Sequence, residues 1–372
     1  MEAKKTGGFV LEDKDIRAGL SQLARNPFTL SHSYAKLDLT DKQLKSIDAV
    51  QKYKNVQTLM IDDNFVTDLS CLSNLPYLLT LSAANNKITE CLSYNVPLCD
   101  DENRWAEGSN SVGSQLNEAD LSGNNIEKIA DLSPHCYLHS LNLNNNKIEV
   151  IEGLNLPLLT YLNLEGNKIS KIEGLDKLSC LVELDLTNNN ITELVNLTTG
   201  LGKLEKLHLS GNKIVSLKGL RHCQLRELDV SDNNISVIRQ VEYLQKMVNL
   251  SELVLSGNEC CGKEFYRLRA VARLVGISIL DNVAVTAKEK VKAINLYAAE
   301  GSDLENRIKN FNKQFGAHGA AFVNTLPPFV EDEVLEDAED NDELGEYKNA
   351  ENFVEVIFED AMKSLTSSMK LQ

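Results

Sequence analysis

The sequence lacks several features, and each absence excludes a class of function. Lysine and arginine number 38 against 54 aspartates and glutamates, so the formal net charge is −16. Nucleic-acid backbones are bound by clustered basic residues, so this acidic chain is not expected to bind them. No apolar run is long enough to cross a bilayer, and the opening MEAKKTGGFVLED lacks the apolar segment of a signal peptide. We expect a soluble protein of the cytoplasm that binds neither nucleic acid nor membrane.

Motifs of catalysis and metal binding are missing as well. There is no Gly-rich phosphate loop, no H-E-x-x-H and no G-x-S-x-G, and the six histidines are scattered. We therefore expect no enzyme, no cofactor, no metal site and no small-molecule substrate. The cysteines form no C-x-x-C, and we interpret them as small buried thiols in a reducing compartment. They are residues 71, 91, 99, 136, 180, 223, 260 and 261.

What the sequence has in abundance is an internal repeat. LHSLNLNNNKIEVIEGL (Leu138–Leu154) and LTYLNLEGNKISKIEGL (Leu159–Leu175) agree at 11 of 17 positions. Both fit L-x-x-L-x-L-x-x-N-x-I-x-x-I-x-x-L, the leucine-rich-repeat pattern, whose period is about 20–29 residues. The steps between successive repeat asparagines are 22, 38, 22, 21, 22, 23, 21 and 25 residues. These asparagines are Asn64, Asn86, Asn124, Asn146, Asn167, Asn189, Asn212, Asn233 and Asn258.

The repeat predicts an α/β solenoid, a leucine-rich-repeat horseshoe with short repeats of 21–23 residues and a parallel concave sheet. Alternating leucines such as Leu141 and Leu143 predict a short strand that faces one narrow core. The asparagine column is expected to be structural, because its amides can pair with backbone groups that cost about 1–3 kcal/mol each when buried unpaired. On the convex side we expect short 3₁₀ or helical turns, as at Ile169, Ile172 and Leu175.

Atypical units must close the open ends of such an array, and capping helices are expected at both ends. Asp13–Arg25 places Ile16, Leu20 and Leu23 on one helical face and is predicted to be the N-terminal capping helix.

The predicted boundaries are 1–33 for the N-terminal segment, 34–261 for the repeats with an insertion at about 91–113, 262–316 for the C-terminal cap and amphipathic helices, and 317–372 for a linker, an acidic run and a docking segment.

The C-terminal end has the marks of a cap followed by helices. Tyr266-Arg267, a helix and then Leu280-Asp281 are typical of the unit that closes these arrays. Capping boxes at Thr286–Glu289 and Ser302–Glu305 indicate two further helix starts. The second helix carries an apolar stripe, which either packs back on the cap or pairs with a helix of another chain. The stripe consists of Leu304, Ile308, Phe311 and Phe315.

The last part of the chain changes in composition. Glu331–Glu346 has ten acidic residues in sixteen, which predicts a flexible, solvated tail. Asn352–Leu365 is apolar again, with Phe353, Ile357 and Leu365 on one helical face. A tail that served solubility alone has no use for this face, so we interpret the segment as one that folds on a partner.

Residues that alternate with the strand leucines are predicted to line the concave face. Two readings stay open: a solvated face generic to the repeat, or a groove for a basic segment of a partner. The candidate contacts are Asp62, Asp120, Asn163, Glu165, Glu183, Asp185, His208, Glu227, Asp229 and Glu252.

The 38-residue step marks an insertion that contains Arg104 and Trp105, the one tryptophan of the chain. Loops on rigid repeats often hold function, and Trp beside Arg is a composition typical of interface hot spots. The alternative is a mobile surface insertion without a partner.

The N-terminal part carries a resemblance beyond the generic repeat. Gly19-Leu20-Ser21, the run Ser31–Leu37 and Thr67–Ser70 lie outside the consensus. With these residues, the chain resembles the leucine-rich-repeat radial-spoke protein of motile cilia, while its short repeats resemble those of the leucine-rich regulatory subunit of protein phosphatase 1. The radial-spoke resemblance covers about residues 12–290, and neither the insertion nor the tail belongs to it.

The resemblance implies a structural subunit of the radial spoke in the axoneme of a cilium or flagellum. Its partners would be other radial-spoke and axonemal proteins, its location the cytoskeleton, and its contribution cilium motility. Two alternatives remain. One is a regulatory subunit that clamps a protein phosphatase, and the other is an acidic histone-chaperone-like leucine-rich protein.

Overall fold

The computed structural model describes residues 11–25, 32–94, 115–195, 197, 200–274 and 276–296. The chain divides into two units, Met1–Lys213 and Ile214–Gln372. The predicted contacts Arg104 and Trp105, the stripe after Ser302, the acidic run and the C-terminal docking segment lie outside the described residues.

The first unit contains one short strand per repeat. From β2 onward each strand pairs in parallel with the next, as Leu141 pairs with Leu162. The strands are β1 Leu20–Arg25, β2 His32–Asp38, β3 Thr58–Met60, β4 Thr80–Ser82, β5 Glu118–Asp120, β6 Ser140–Asn142, β7 Tyr161–Asn163, β8 Glu183–Asp185 and β9 Lys206–His208.

The core of the first unit follows the apolar positions of the repeat. In Leu138–Leu154, the six leucines and isoleucines of the consensus are at most 3% exposed. Burying each stabilises the fold by about 1.5–3 kcal/mol. One repeat alone cannot cover this apolar surface, so stacking of neighbouring repeats is what buries it. The leucine-rich-repeat solenoid predicted from the sequence is confirmed.

The side of each repeat opposite the strands varies. Asp48–Lys52, Ser70–Asn74 and Ser133–His135 form 3₁₀ helices. The prediction of a helical turn at Ile169–Leu175 is wrong, because this stretch has bends at Lys171 and Gly174 and no 3₁₀ helix. The reason is Gly174, whose φ of +70° is incompatible with the negative φ that a 3₁₀ helix needs.

The N-terminal cap differs from the single helix that we predicted. Helix α1 spans Asp13–Gly19, and the chain then continues as β1, antiparallel to β2. Gly19 lies against the carbonyl oxygen of Asp38, where a Cβ atom would collide, so the chain passes close to β2 at this point. Ile16 is buried, whereas Leu23 is 64% exposed on β1 and does not belong to a helical core face.

The second unit continues the same architecture and ends in a cap. Strands β10 Glu227–Asp229, β11 Glu252–Val254 and β12 Ile279–Leu280 are parallel, and β13 Val283–Ala284 returns antiparallel to β12. Helices α2 Tyr266–Arg273 and α3 Ala287–Leu296 follow the repeats as predicted, and 3₁₀ helices span Lys218–Leu220, Ile238–Leu244 and Glu259–Gly262.

The residues that predicted the C-terminal cap are joined by hydrogen bonds. The Tyr266 hydroxyl donates to Oδ2 of Asp281 at 2.8 Å, and Arg267 donates to the carbonyl of Leu280 at 2.8 Å. The predicted capping box of α3 is formed, because the Thr286 amide donates to Glu289 Oε2 at 2.8 Å and the Glu289 amide donates to Thr286 Oγ1 at 3.2 Å.

Candidate protein-interaction surface

The nine repeat asparagines support the surface from behind. All are at most 7% exposed, and their amides pair with backbone groups. In Asn167, Nδ2 donates to the carbonyls of Leu143 at 3.0 Å, Leu164 at 2.9 Å and Glu165 at 3.2 Å. Its Oδ1 accepts the amide N–H of Ile148 at 3.0 Å. Leu143 and Ile148 belong to the preceding repeat, so the side chain joins two repeats and fixes the position of their strands.

The strand side chains that flank each buried leucine form one exposed surface, which we call the strand face. Neighbouring strands lie about 4.8 Å apart, so these side chains form two rows, one before and one after the leucine. Between β5 and β9 the first row is Glu118, Ser140, Tyr161, Glu183 and Lys206, and the second is Asp120, Asn142, Asn163, Asp185 and His208.

The strand face between β5 and β9 is acidic. Glu118, Asp120, Glu183 and Asp185 bring four carboxylates, and the cation on the same strands is Lys206. Nζ of Lys206 lies 3.6 Å from Oε2 of Glu183. The predicted contacts Asp120, Glu183 and Asp185 thus lie on one surface. All three residues are half-buried and still reach solvent.

Several predicted contacts are also part of the local backbone structure. Oδ1 of Asp120 accepts the Ser122 amide at 2.9 Å, and Oδ1 of Asp185 accepts the Thr187 amide at 2.9 Å. Each carboxylate thereby closes a turn two residues ahead, which is a common role of Asp after a strand. The charge and the second oxygen remain, because a carboxylate has about four acceptor sites.

Three predicted contacts are less available to a partner than expected, because they are hydrogen-bonded within the protein or buried. They are Asp62, Asn163 and Glu165. Asp62 accepts the Ala84 amide at 2.7 Å and the Ser82 hydroxyl at 2.7 Å, so it ties its repeat to the next. Asn163 is 7% exposed, and its Oδ1 accepts the Glu165 amide at 2.9 Å. Glu165 itself accepts a weak bond of 3.4 Å from Asn188 and stays half-buried.

Tyr161 is a member of the strand face that the sequence reasoning missed. Its hydroxyl accepts a hydrogen bond from Nδ2 of Asn163 at 3.2 Å. Burial, together with the negative charges of Glu183, Asp185 and Asp120, raises the pKa of Tyr161 above its ordinary value. The signal was present, since Tyr161 occupies the same position before a strand leucine as Glu183. An aromatic ring can pack against the apolar stem of a lysine or arginine side chain, while neighbouring carboxylates pair with its charged group.

The second unit has its own acidic strand face. Glu227 and Glu252 are direct neighbours in the parallel pairing of β10 and β11. Asp229 accepts the Ser231 amide at 2.9 Å and the Ser231 hydroxyl at 2.6 Å.

The part of the chain that the structure describes gives no metal site or membrane span. Among these residues no group of three or more His, Cys, Asp or Glu side chains is placed to hold a metal ion. No helix within them has the length and apolarity needed to cross a bilayer.

Comparison with known proteins agrees with this geometry. The family model described as "Leucine-rich repeat" matches residues 160–309, and "Leucine Rich repeats (2 copies)" matches residues 138–177. Leucine-rich repeat-containing protein 23 of Bos taurus is 28% identical over 286 residues, which cover 76% of this chain and 78% of that protein. Cilia- and flagella-associated protein 410 of Mus musculus is 30% identical over 115 residues, or 30% of this chain and 46% of that protein. An internalin (inlF) of Listeria monocytogenes has a TM-score of 0.49 and 24% identity, over 65% of this chain and 72% of that one.

The repeat register, the asparagine ladder and the family models define the class of fold of this chain. The fold is a leucine-rich-repeat solenoid. Proteins of this class are typically non-enzymatic scaffolds that bind other proteins along an extended surface. The strand face is the surface of this chain that suits such a role.

Proposed function

We propose that this chain is a structural scaffold of the ciliary or flagellar axoneme, a subunit of the radial spoke that holds other spoke proteins. The observation that carries the proposal is the N-terminal resemblance to the radial-spoke family, considered with its place in the fold. Gly19 and Leu20 lie at the junction of α1 and β1, and Leu20 pairs with Leu37 at the end of the resembling run. Gly19, Leu20 and Leu37 therefore meet in the N-terminal cap, whereas Thr67–Ser70 lies in the repeat that follows β3.

The relatives support the same location. Cilia- and flagella-associated protein 410 shares 30% identity over 115 residues with this chain. The two strand faces support the scaffold role, because their carboxylates are held in fixed rows on a rigid sheet. We infer that a basic segment of a partner lies across the strand face, where electrostatic attraction steers association and selects the partner.

The test is to tag the full chain in a ciliated cell, isolate demembranated axonemes and identify the proteins released by gentle salt extraction. Recovery in axonemes together with radial-spoke subunits supports the proposal. Absence from axonemes overturns it. A phosphatase or histones in the pull-down would then favour the regulatory-subunit or histone-chaperone alternative.

The strand face is tested by reversing its charge. Glu183→Lys with Asp185→Lys is expected to reduce recovery of the partner at least tenfold. The matched control is Glu127→Lys with Glu193→Lys, which changes the net charge equally at exposed positions off the strand face. Equal recovery with both double variants would mean that the strand face is only solvated.

The C-terminal segment is tested separately. Phe353→Ser with Ile357→Ser is expected to release the protein from its complex while the far-UV circular dichroism of the repeats stays unchanged. The motive is the apolar face that these residues share with Leu365, directly after an acidic run. Unchanged incorporation into axonemes would remove the docking role from this segment.

A further inference from the structure

Two adjacent cysteines occupy the turn that follows the last repeat asparagine. Cys260 and Cys261 lie in the 3₁₀ helix Glu259–Gly262, directly after Asn258. Cys260 is fully buried, and its amide donates to the carbonyl of Ile235 at 3.0 Å. Cys261 is half-buried. The pair thus presents one partly exposed cysteine with a second, buried cysteine beside it.

The surroundings of Cys261 form a cluster of hydrogen-bonding groups. Its thiol donates to the carbonyl of Leu255 at 3.0 Å, and the side chains of Cys260 and Tyr266 hydrogen-bond to it. The Tyr266 hydroxyl also donates to Asp281, whose Oδ1 accepts the amide of Leu255 at 2.8 Å. The thiol is therefore built into the network that closes the last repeat.

The other described thiols differ from Cys261. Burial raises the pKa of Cys71 and of Cys91 to about 12 and that of Cys223 to about 11, so these thiols stay protonated and unreactive at neutral pH. The hydrogen bond from Cys260 is the largest cause that lowers the pKa of Cys261 to about 7. Cys180 is half-buried like Cys261, but its sulfur accepts a hydrogen bond from Nζ of Lys203 at 3.4 Å.

We propose that the Cys260–Cys261 pair is a thiol-modification site that exchanges with small disulfides of the glutathione type. The Cys261 thiolate attacks one sulfur of the disulfide, a bond forms between the two sulfurs, and the other half leaves as a thiolate. Cys260 then loses its proton and attacks Sγ of Cys261. The Cys260–Cys261 disulfide forms, and the second half of the reagent leaves as a thiolate. In sum, two protein thiols are oxidised and one small disulfide is reduced to two thiols.

Oxidation of this pair would act on the cap of the last repeat. The Cys261 sulfur could no longer donate to the carbonyl of Leu255, the residue that follows β11. The same carbonyl accepts a hydrogen bond from Nδ2 of Asn258 at 2.7 Å. The turn Glu259–Gly262 would have to change its backbone to bring the two sulfurs together. The site would thereby couple the redox state of the surroundings to the stability of the cap.

The expected rate follows from the thiolate fraction. At pH 7 about half of a thiol with a pKa near 7 is ionised, against about 3% of a thiol with the ordinary pKa of about 8.5. Lower basicity reduces the nucleophilicity of the thiolate by about fivefold. Cys261 is therefore expected to react about threefold faster at pH 7 than a thiol of ordinary pKa, with a rate that reaches half of its maximum near pH 7.

The experiment treats the reduced full-length protein with oxidised glutathione from pH 5.5 to 9 and maps each cysteine by peptide mass spectrometry. The expected result is loss of both thiols in the peptide that contains Cys260 and Cys261. Cys260→Ser should stop the reaction at a mixed disulfide on Cys261, while Cys180→Ser should leave it unchanged.

Two results would overturn the proposal. One is a pH midpoint for Cys261 at or above about 8.5, the ordinary pKa of a cysteine thiol, which would mean that the cluster does not activate the thiol. The other is a stable mixed disulfide on Cys261 in the unsubstituted protein, which would mean that Cys260 does not act as the second thiol.

Discussion

Replacing Asn167 by alanine tests whether the asparagine ladder stabilises the repeats. The amide N–H of Ile148 would lose the Oδ1 acceptor that it has at 3.0 Å, inside a region where Asn167 itself is 7% exposed. A buried backbone donor left without a partner costs about 1–3 kcal/mol. This is the largest single contribution to the expected loss.

The carbonyl groups that accept hydrogen bonds from Asn167 contribute less to the loss of stability. The carbonyl of Leu143 keeps a hydrogen bond of 3.0 Å from Asn146, and that of Leu164 keeps one of 2.9 Å from Asn189. Each lost hydrogen bond to these carbonyls costs about 0.5–1 kcal/mol. Together with the unpaired N–H, we expect Asn167→Ala to lower the free energy of unfolding by about 3 kcal/mol.

The assay is equilibrium unfolding in urea followed by far-UV circular dichroism, with Asn155→Ala as the control. Asn155 is exposed on the turn side of the neighbouring repeat, so its loss should change the free energy of unfolding by less than about 0.5 kcal/mol. If Asn167→Ala and Asn155→Ala shift the unfolding midpoint equally, the reasoning about buried backbone pairing is refuted.

Three further changes test other parts of the chain. Gly153→Ala should lower the free energy of unfolding by about 1–3 kcal/mol, because φ is +72° and a Cβ would meet a backbone carbonyl of the preceding repeat; Gly202→Ala, with open space around it, is the control in the same urea assay. Burial raises the pKa of Glu289, but the hydrogen bond from Arg267 and the capping threonine hold it below its usual 4.5. The stability that Glu289→Gln removes should thus be measurable in thermal melts above pH 4.5 and vanish as the pH drops through the lowered pKa; a difference that persists in acid would contradict this. Trp105→Ala should reduce co-purification of axonemal partners, and full recovery would leave the insertion without a binding role.

The repeat pattern predicted the core and the strands because each consensus position has one physical task. A leucine such as Leu162 must face the core, since the period-two alternation leaves it no other place in a stacked repeat. Asn167 must pair with backbone groups, since its amide is buried between two repeats. These are local requirements, and they recur at every step of about 22 residues, so the sequence alone reveals them.

The parts that the sequence mispredicted depend on contacts between segments. Leu20 and Leu23 fit a helical spacing, yet Leu23 lies opposite Tyr34 in an antiparallel ladder. Nothing in Asp13–Arg25 itself shows that Gly19 lies against the carbonyl of Asp38. Likewise, the apolar spacing at Ile169–Leu175 fits a helical turn, and the positive φ of Gly174 becomes evident only from the backbone.

The acidic residues of the strand face require a different argument, because their structural and binding roles do not exclude each other. Asp120 and Asp185 each use one oxygen to accept a backbone amide two residues ahead. That hydrogen bond restricts the rotamer of the side chain and leaves the second oxygen as a further acceptor. A partner's lysine or arginine would meet a carboxylate whose orientation is already set, so less conformational entropy is lost on binding.

The candidate contacts differ in how many acceptor groups remain available to a partner. Asp62 is held by both the Ala84 amide and the Ser82 hydroxyl, and Asn163 is 7% exposed, so neither has much left to offer a partner. Glu183 and Asp185 remain half-buried beside the ring of Tyr161. A basic segment that crosses β7 and β8 would meet the aromatic ring and the two carboxylates on adjacent strands, which lie about 4.8 Å apart. We therefore expect charge reversal at Glu183 and Asp185 to weaken partner binding more than the same change at Asp62.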